Sequence, residues 1–369
     1  MKILHTIYDD VENPWCGGGG ALRTLKIARQ LSQRHEITLL VGTFPGAERT
    51  KEIDGVKIIR IGTDLSYSLS RLSFAAHASI EVARNNFDLW VYSFSAYAPL
   101  KVSSSLRKKS ILELFHLMGQ NASKKFPIIG RFAQRAENEV LKLHPEILTI
   151  SPTLRTRLRS MNSNANIHLV YTGVDDACFQ PQGEEQDYIL YFGRLDIHTK
   201  GLDILLKAMK NLSEKNIRLV LAGKGTPKRK DTLKEMAKSL GISKQIEFFG
   251  EVSEQDRNRL MSEALFVCMP SRYEGWGIVA IEAGAARKAV IGTDISGLRD
   301  AIRHNDTGLL VQPENPDDLA VAMKQLLENP SLRQKMGQNG FRWAQKFTWE
   351  GISKDQEDVY RTIYESRSH

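Results

Sequence analysis

The sequence predicts an α/β fold built from two doubly wound, mostly parallel sheets with helices on both faces. Three observations predict it. Strand-like apolar runs alternate with amphipathic stretches of helical period along the whole chain. Its 369 residues exceed the span of one core, given about 100–200 residues per domain. A break at Thr172–Gln186, carrying Gly173, Pro181 and Gly183, separates two halves of similar style.

Lys2–Tyr8 reads as the first strand, and Ala21–Ser32 as a helix with Leu22, Leu25, Ala28 and Leu31 on one face. Strands follow at Glu36–Val41, Lys57–Ile61, Leu89–Tyr92, Ser110–Leu114 and Ile147–Ile150, with helical stretches between most of them. Past the break, Tyr188–Phe192 opens a second series. Leu202–Leu212 is helical, with Leu202, Leu205, Met209 and Leu212 in register. Arg218–Ala222, Ile246–Phe249, Ala264–Met269, Ala289–Gly292 and Gly308–Val311 are strands, and Phe347–Tyr364 closes the chain as a helix. The expected domains are 1–172 with the closing helix 347–369, and 173–346. Parallel sheets take ligands at the carboxyl ends of their strands, so the loops there, lining a cleft between the domains, are the expected site.

The net charge is +8. Residues 1–175 carry 23 basic against 15 acidic groups, while the rest carries 28 of each. The basic surplus therefore belongs to the first half alone. No basic–aromatic stripe or nucleic-acid reading motif accompanies it, which argues against a nucleic-acid partner. Three cysteines at wide spacing give neither a disulfide framework nor a metal-binding pair, and a reducing cytoplasm is the expected home. Met1–Asp10 lacks the features of a signal peptide, and no apolar run reaches the ~18 residues of a membrane span. Membrane contact, where it occurs, is expected to be peripheral.

Three motifs can carry chemistry. Gly17–Gly20 follows the first strand and precedes a helix, where Gly18 and Gly19 would let backbone N–H groups approach an anion. The bland alternative is a flexible loop without a ligand. Gly193-Arg194, just past a strand, and Lys200-Gly201, just before a helix, offer a guanidinium fork and a point charge that suit a diphosphate. Two surface cations can equally be merely solvated. Ser271–Ala283 is the most specific: a buried strand ends in Pro270, Gly275-Trp276-Gly277 turns into an apolar helix through Ile278 and Val279, and Glu274 and Glu282 flank the turn with seven residues between them. A lone helical Glu is usually solvated; the glycines and the second carboxylate favour a ligand.

Gly193-Arg194…Lys200-Gly201 followed by Glu274-x7-Glu282 resembles the retaining GT-B glycosyltransferases of family 4, the relatives of glycogen synthase and phosphatidylinositol mannosyltransferase. Gly17–Gly20, Thr172-Gly173-Val174-Asp175, Leu221–Gly225 and Ile246–Gly250 resemble further stations of that family, so the likeness covers nearly the whole chain. The resemblance implies two Rossmann-like domains facing across a deep cleft, with the last helix crossing back to the first domain. It also implies that Arg194 and Lys200 bind a donor diphosphate, Glu282 its ribose and Glu274 a sugar hydroxyl. Backbone around Gly275–Val279 would hold sugar and phosphate, Gly250–Val252 would lie near the base, and His116 would stand beside the transferred sugar. The sequence departs from the family at Thr172, where Asn is usual, at Trp276, where Phe is common, and at Arg287-Lys288, where a Gly-x-Pro turn is common.

The implied reaction moves a sugar from a nucleoside diphosphate, expected to be uridine diphosphate with a guanosine diphosphate donor as the rival, to a saccharide or lipid-linked hydroxyl. Polysaccharide or glycolipid synthesis is the expected setting. The chain contains no Asp-x-Asp, so no metal or other cofactor is expected. A sugar-nucleotide epimerase of the same fold and a non-catalytic sugar-nucleotide binder are the alternatives. Acceptor recognition is expected from the first domain, near Trp15, Arg23 and Tyr97. The stretch 101–135, with eight basic residues including Lys101, Lys124, Lys125, Arg131 and Arg135 against the single acid Glu113, suits an anionic surface on the inner face of the plasma membrane. A solvated basic face is the alternative.

Overall fold

The computed structural model describes residues 1–94, 102–117, 127–180, 182–212 and 217–367. It divides into two compact units, Met1–Thr172 with Trp349–His369, and Gly173–Thr348.

The first unit holds an eight-stranded sheet in the order β3-β4-β2-β1-β5-β6-β7-β8. These strands are β1 (Lys2–Thr6), β2 (Glu36–Gly42), β3 (Thr50–Ile53), β4 (Val56–Ile61), β5 (Leu89–Ser93), β6 (Ser110–Leu114), β7 (Glu146–Thr149) and β8 (Asn166–Leu169). All pair in parallel except β3 with β4. The near-continuous apolar runs have a cause: β5 and β6 are buried along their full length, because helices cover both faces. The helices are α1 (Gly19–Leu31), α2 (Tyr67–Arg84), α3 (Ser104–Lys108), α4 (Pro127–Leu143) and α5 (Pro152–Met161). Ser66, Ser103 and Ser151 cap the N-termini of α2, α3 and α5 through their hydroxyls.

The second unit holds a six-stranded parallel sheet in the order β11-β10-β9-β12-β13-β14. Its strands are β9 (Tyr188–Phe192), β10 (Arg218–Ala222), β11 (Ile246–Gly250), β12 (Phe266–Met269), β13 (Ala289–Thr293) and β14 (Gly308–Val311). Around them lie α6 (Leu202–Lys210), α7 (Pro227–Ser239), α8 (Glu254–Glu263), α9 (Ile278–Ala285), α10 (Ser296–Ala301), α11 (Pro316–Glu328) and α12 (Pro330–Ala344). One core of β-sheet and helix side chains, including Ile189, Leu205, Leu221, Phe266, Ile291 and Met323, fills this unit.

Strand order locates the site. In the first unit the chain leaves β1 toward β2 on one side and later adds β5 on the other. In the second it leaves β9 toward β10 and later adds β12. These are the two switch points, where loops diverge and open a crevice at the carboxyl ends of the strands. Gly17–Gly20 follows β1, Arg194 follows β9 and Glu274 follows β12.

The closing helix α13 (Trp349–Glu365) packs on α1 and belongs with the first unit. The break at 172–186 is no open spacer. Val174 and Cys178 are buried, and the Val174 N–H donates to the Phe347 carbonyl at 2.7 Å. β3 and β8 escape the periodicity reading because no residue of β3 and only one of β8 is buried, so neither carries an apolar run, unlike the equally short β7, β12 and β14. The β3–β4 hairpin nevertheless has a sequence mark, Asp54-Gly55, whose residues take φ of 51° and 76°.

Candidate functional site: the strand ends of the second unit

Lys200 and Glu274, 74 positions apart, meet as an ion pair of 2.6 Å between Nζ and Oε2. Two approaches of backbone make this possible. Gly201 caps α6 with φ 64°, and a Cβ there would lie 1.9 Å from the Pro270 carbonyl oxygen. The start of α6 therefore presses against the end of β12. Gly297 does the same from the other side, where a Cβ would lie 2.3 Å from the Glu274 carbonyl oxygen. Ser271 adds a hydroxyl 3.3 Å from Glu274 Oε2.

Arg272 clamps the same loop. It donates to both oxygens of Asp203 at 2.7 and 2.8 Å, to Glu314, and to the His198 carbonyl at 2.8 Å. Its hydrogen bonds to the carboxylates of Asp203 and Glu314 raise its pKa, so it stays charged. Arg272 carries no mark in the sequence, because its partners, His198, Asp203 in the first turn of α6 and Glu314, lie 74, 69 and 42 positions away.

Arg194 is exposed just beyond β9, and its guanidinium has no hydrogen bond or ion pair among the described residues. At the start of α9 the N–H groups of Gly275, Gly277 and Val279 donate to nothing among the described residues. Such N–H groups at a helix N-terminus attract an anion. Trp276 is buried with its ring 5.6 Å from that of Phe347, so the segment offers a ligand backbone rather than indole. Ile278 and Val279 are half-buried, as are Gly250, the last residue of β11, and Val252 two positions on.

Glu282, in α9, is buried and paired with Arg257 of α8 at 3.0 Å. Burial pushes its pKa up to about 7, against the pull of Arg257 and with the help of Asp175 and Glu254. Arg257 carried no signal in the sequence, since 25 positions separate it from Glu282. Arg287-Lys288 also finds a reason. Arg287 adopts φ 60° with its guanidinium over the Phe341 ring at 4.2 Å, and Lys288 pairs with Glu185 at 2.9 Å, as does Arg333. The departure from the family turn is a structural ion-pair cluster.

In the first unit, Gly18 caps α1 and Gly19 begins it, with open space over both. His116 lies two residues past β6; solvent reaches it, while the crowding protein lowers its imidazole pKa against the carboxylates of Glu137 and Asp9. Trp15 is half-buried, edge-on to Tyr67 with ring centroids 6.4 Å apart. Tyr97, Lys101, Lys124 and Lys125 lie outside the described residues. Of the basic stretch, Lys108, Lys109, Arg131 and Arg135 are exposed.

Arg23 requires a correction. Expected among acceptor contacts, it is 1% exposed and locked into the core. It pairs with Glu113 at 2.7 Å and Gln356 at 2.7 Å, and donates to the carbonyls of Val170 and Tyr171. Glu113 also takes hydrogen bonds from Ser93 at 2.7 Å and faces His5 at 3.1 Å. Burial alone would raise the Glu113 pKa, but His5, Arg23 and Ser93 hold it down at about 2. A helical Arg near a glycine loop looks free in sequence; only packing reveals the buried carboxylate waiting for it.

No described helix is long and apolar enough to cross a membrane. Among the described residues no three His, Cys, Asp or Glu side chains gather as metal ligands.

Two family profiles match the chain: "Glycosyltransferase Family 4" over residues 17–177 and "Glycosyl transferases group 1" over residues 177–343. Two uncharacterized glycosyltransferases of Methanocaldococcus jannaschii are similar. One is 28% identical over 239 residues, 60% of this chain and 60% of that protein; the other is 26% identical over 371 residues, 98% and 99%. A D-inositol 3-phosphate glycosyltransferase of Jonesia denitrificans is 33% identical over 216 residues, 53% of this chain and 51% of its own. Apart from the match over 371 residues, the chain therefore spans about half to three-fifths of these relatives. Among solved structures, sucrose-phosphate synthase from Thermosynechococcus elongatus superposes with TM-score 0.86 at 20% identity, over 99% of this chain and 100% of that one. Anabaena HepE in complex with UDP-glucose gives TM-score 0.76 at 17% identity, over 98% and 100%. With both halves matched in order and two switch-point sheets in place, the chain belongs to the family 4, group 1 glycosyltransferases of GT-B fold.

Proposed function

We propose that this protein transfers a hexose from a uridine diphosphate sugar, with retention at the anomeric carbon, to a hydroxyl of a saccharide or lipid-linked acceptor in polysaccharide or glycolipid synthesis. The observation that carries the proposal is the convergence of Arg194, Lys200, Glu274 and the open start of α9 at the switch point of the second unit. The main physical task is to stabilise charge on the departing diphosphate. Fixed cations and oriented backbone N–H groups do this without reorganising during the reaction.

In this reading Arg194 and Lys200 take the diphosphate, Gly275–Val279 and the Gly18-Gly19 helix start offer backbone donors, and Gly250–Val252 line the base. Glu282 accepts from the ribose and Glu274 from a sugar hydroxyl. His116 acts beside the transferred sugar. Binding of the diphosphate replaces the Lys200–Glu274 pair, freeing the carboxylate for the sugar as the cation turns to phosphate. No metal is needed, because two side-chain cations carry the countercharge. The choice of uridine is supported by HepE, crystallised with UDP-glucose. Exposed Lys108, Lys109, Arg131 and Arg135 support contact with anionic lipid.

The test is a thermal-shift screen of UDP-hexoses and GDP-mannose, followed by turnover with candidate acceptors and the anomeric configuration of the product by NMR. Stabilisation by a UDP-hexose and an α-product from an α-donor are expected, with the rate unchanged in EDTA. A GDP-mannose-only response, an inverted product or loss of rate in EDTA each overturns its part of the reading. Conversion of donor alone to a new sugar nucleotide would make the protein an epimerase.

A further inference from the structure

Behind Glu282 lies a buried polar cluster that the transfer reaction does not use directly. Arg257, 8% exposed, donates Nη1 to Glu282 Oε1 at 3.0 Å, Nη2 to Asp175 Oδ2 at 3.5 Å and Nε to Asn258 Oδ1 at 3.2 Å. Cys178 Sγ completes the ring, 3.7 Å from Nη2 and 3.4 Å from Asn258 Oδ1. Glu282 Oε2 accepts no hydrogen bond among the described residues. One carboxylate oxygen is thus held from behind and the other is left over. A guanidinium buried on four partners has little rotamer freedom, which makes it a rigid mount.

We infer that Arg257 is a positioning residue for the donor's ribose: anchored on Asp175 and Asn258, it grips Glu282 by Oε1 and leaves Oε2 to accept the ribose hydroxyls. The inference rests on the reading of Glu282 as the ribose carboxylate. It adds a pH signature. The charged or titratable groups facing Glu282 are Arg257 and Glu254 from α8 and Asp175 and Cys178 from the segment after the unit boundary. Burial, Asp175 and Glu254 favour the proton, and Arg257 alone opposes it. The ionised carboxylate is the better acceptor for two hydroxyls, so nucleotide affinity is present above the Glu282 pKa and falls away below it. Without Arg257 that fall moves to higher pH.

The experiment is calorimetric binding to the full-length protein, with UDP as probe and GDP in parallel, between about pH 6 and pH 9. 2′,3′-Dideoxy-UDP carries the same diphosphate and cancels the nucleotide's own titration. Wild type should lose UDP affinity as the pH falls through about 7, the Glu282 value. Arg257→Gln should bind UDP at least ~10-fold more weakly at neutral pH, one pKa unit being a factor of ten, and recover toward wild type near pH 9. Arg257→Lys should lie between, and the dideoxy nucleotide should show neither effect. A loss in Arg257→Gln that is equal at every pH, or no loss, overturns the inference. Glu282→Gln that binds UDP like wild type, or failure of both nucleotides to bind, overturns the ribose reading beneath it. Weak binding by Glu282→Gln beside normal binding by Arg257→Gln removes only the positioning role. Should Arg257→Gln fail to fold, the Arg257→Lys profile decides, and one superimposable on wild type at every pH counts against the inference.

Discussion

Lys200 and Glu274 neutralise one another across 2.6 Å. Each is held in place and partly screened from water by the other, and in the proposed reaction donor binding would part them. The pair orients a flexible lysine that would otherwise lose rotamer freedom on binding.

Replacing Arg194 or Lys200 by Ala should reduce kcat by ~10²-fold or more, the usual effect of deleting a preorganised charge donor at a leaving group. Circular dichroism should show an unchanged fold, since Arg194 is exposed and Lys200 lies in a loop. Near-normal turnover by both variants would end the diphosphate assignment.

Gly201→Ala tests the loop that delivers Lys200. The new methyl would meet the Pro270 carbonyl at 1.9 Å and occupy φ 64°. The left-handed backbone alone costs about 1–2 kcal/mol, and displacement of the loop should add to it. A lower melting temperature together with reduced kcat/KM is expected, with enzyme assays and thermal melts run on the same preparation.

Arg23→Met should destabilise the first unit by about 3–5 kcal/mol, because Glu113 would remain buried without its closest countercharge. Combining it with Glu113→Leu should recover part of the loss, as apolar replacement of both partners removes the stranded charge. Urea unfolding of single and double variants measures both. A single variant as stable as wild type would contradict the clamp.

Acid should loosen the closing helix. Hydrogen bonds from Arg34 and His35 lower the Glu357 pKa to about 2, and Glu113, bridged to Gln356 by Arg23, also stands near 2. Both lie below the ordinary 4.5, so their stabilisation is complete above about 4.5 and is lost as the pH falls toward 2. Melting temperature should drop steeply over that interval, and less steeply in Glu357→Gln. Equal slopes would show that Glu357 is not a proton-linked anchor of α13.

Particular residues show where sequence was enough and where it was not. The parallel strands announced themselves, since a strand covered on both faces must be apolar throughout, as Leu89–Ser93 is. The Glu274-x7-Glu282 spacing was legible because a loop tip and the helix after it are local in the chain. β3 was not, being four residues of edge strand whose side chains need no core. Arg23 misled, because a buried cation and an exposed one are the same letter until a partner is found.

The α/β alternation, the glycine turns and the helix start that can meet an anion could all be read from residues adjacent in the chain, on which they depend. Tertiary structure alone decided the partners: Lys200 with Glu274, Arg257 with Glu282 and Arg23 with Glu113 lie 74, 25 and 90 positions apart. Charge pairs of that kind arise from which strand ends and helices the fold brings together. Their energies depend on burial, and burial is a property of the packed chain.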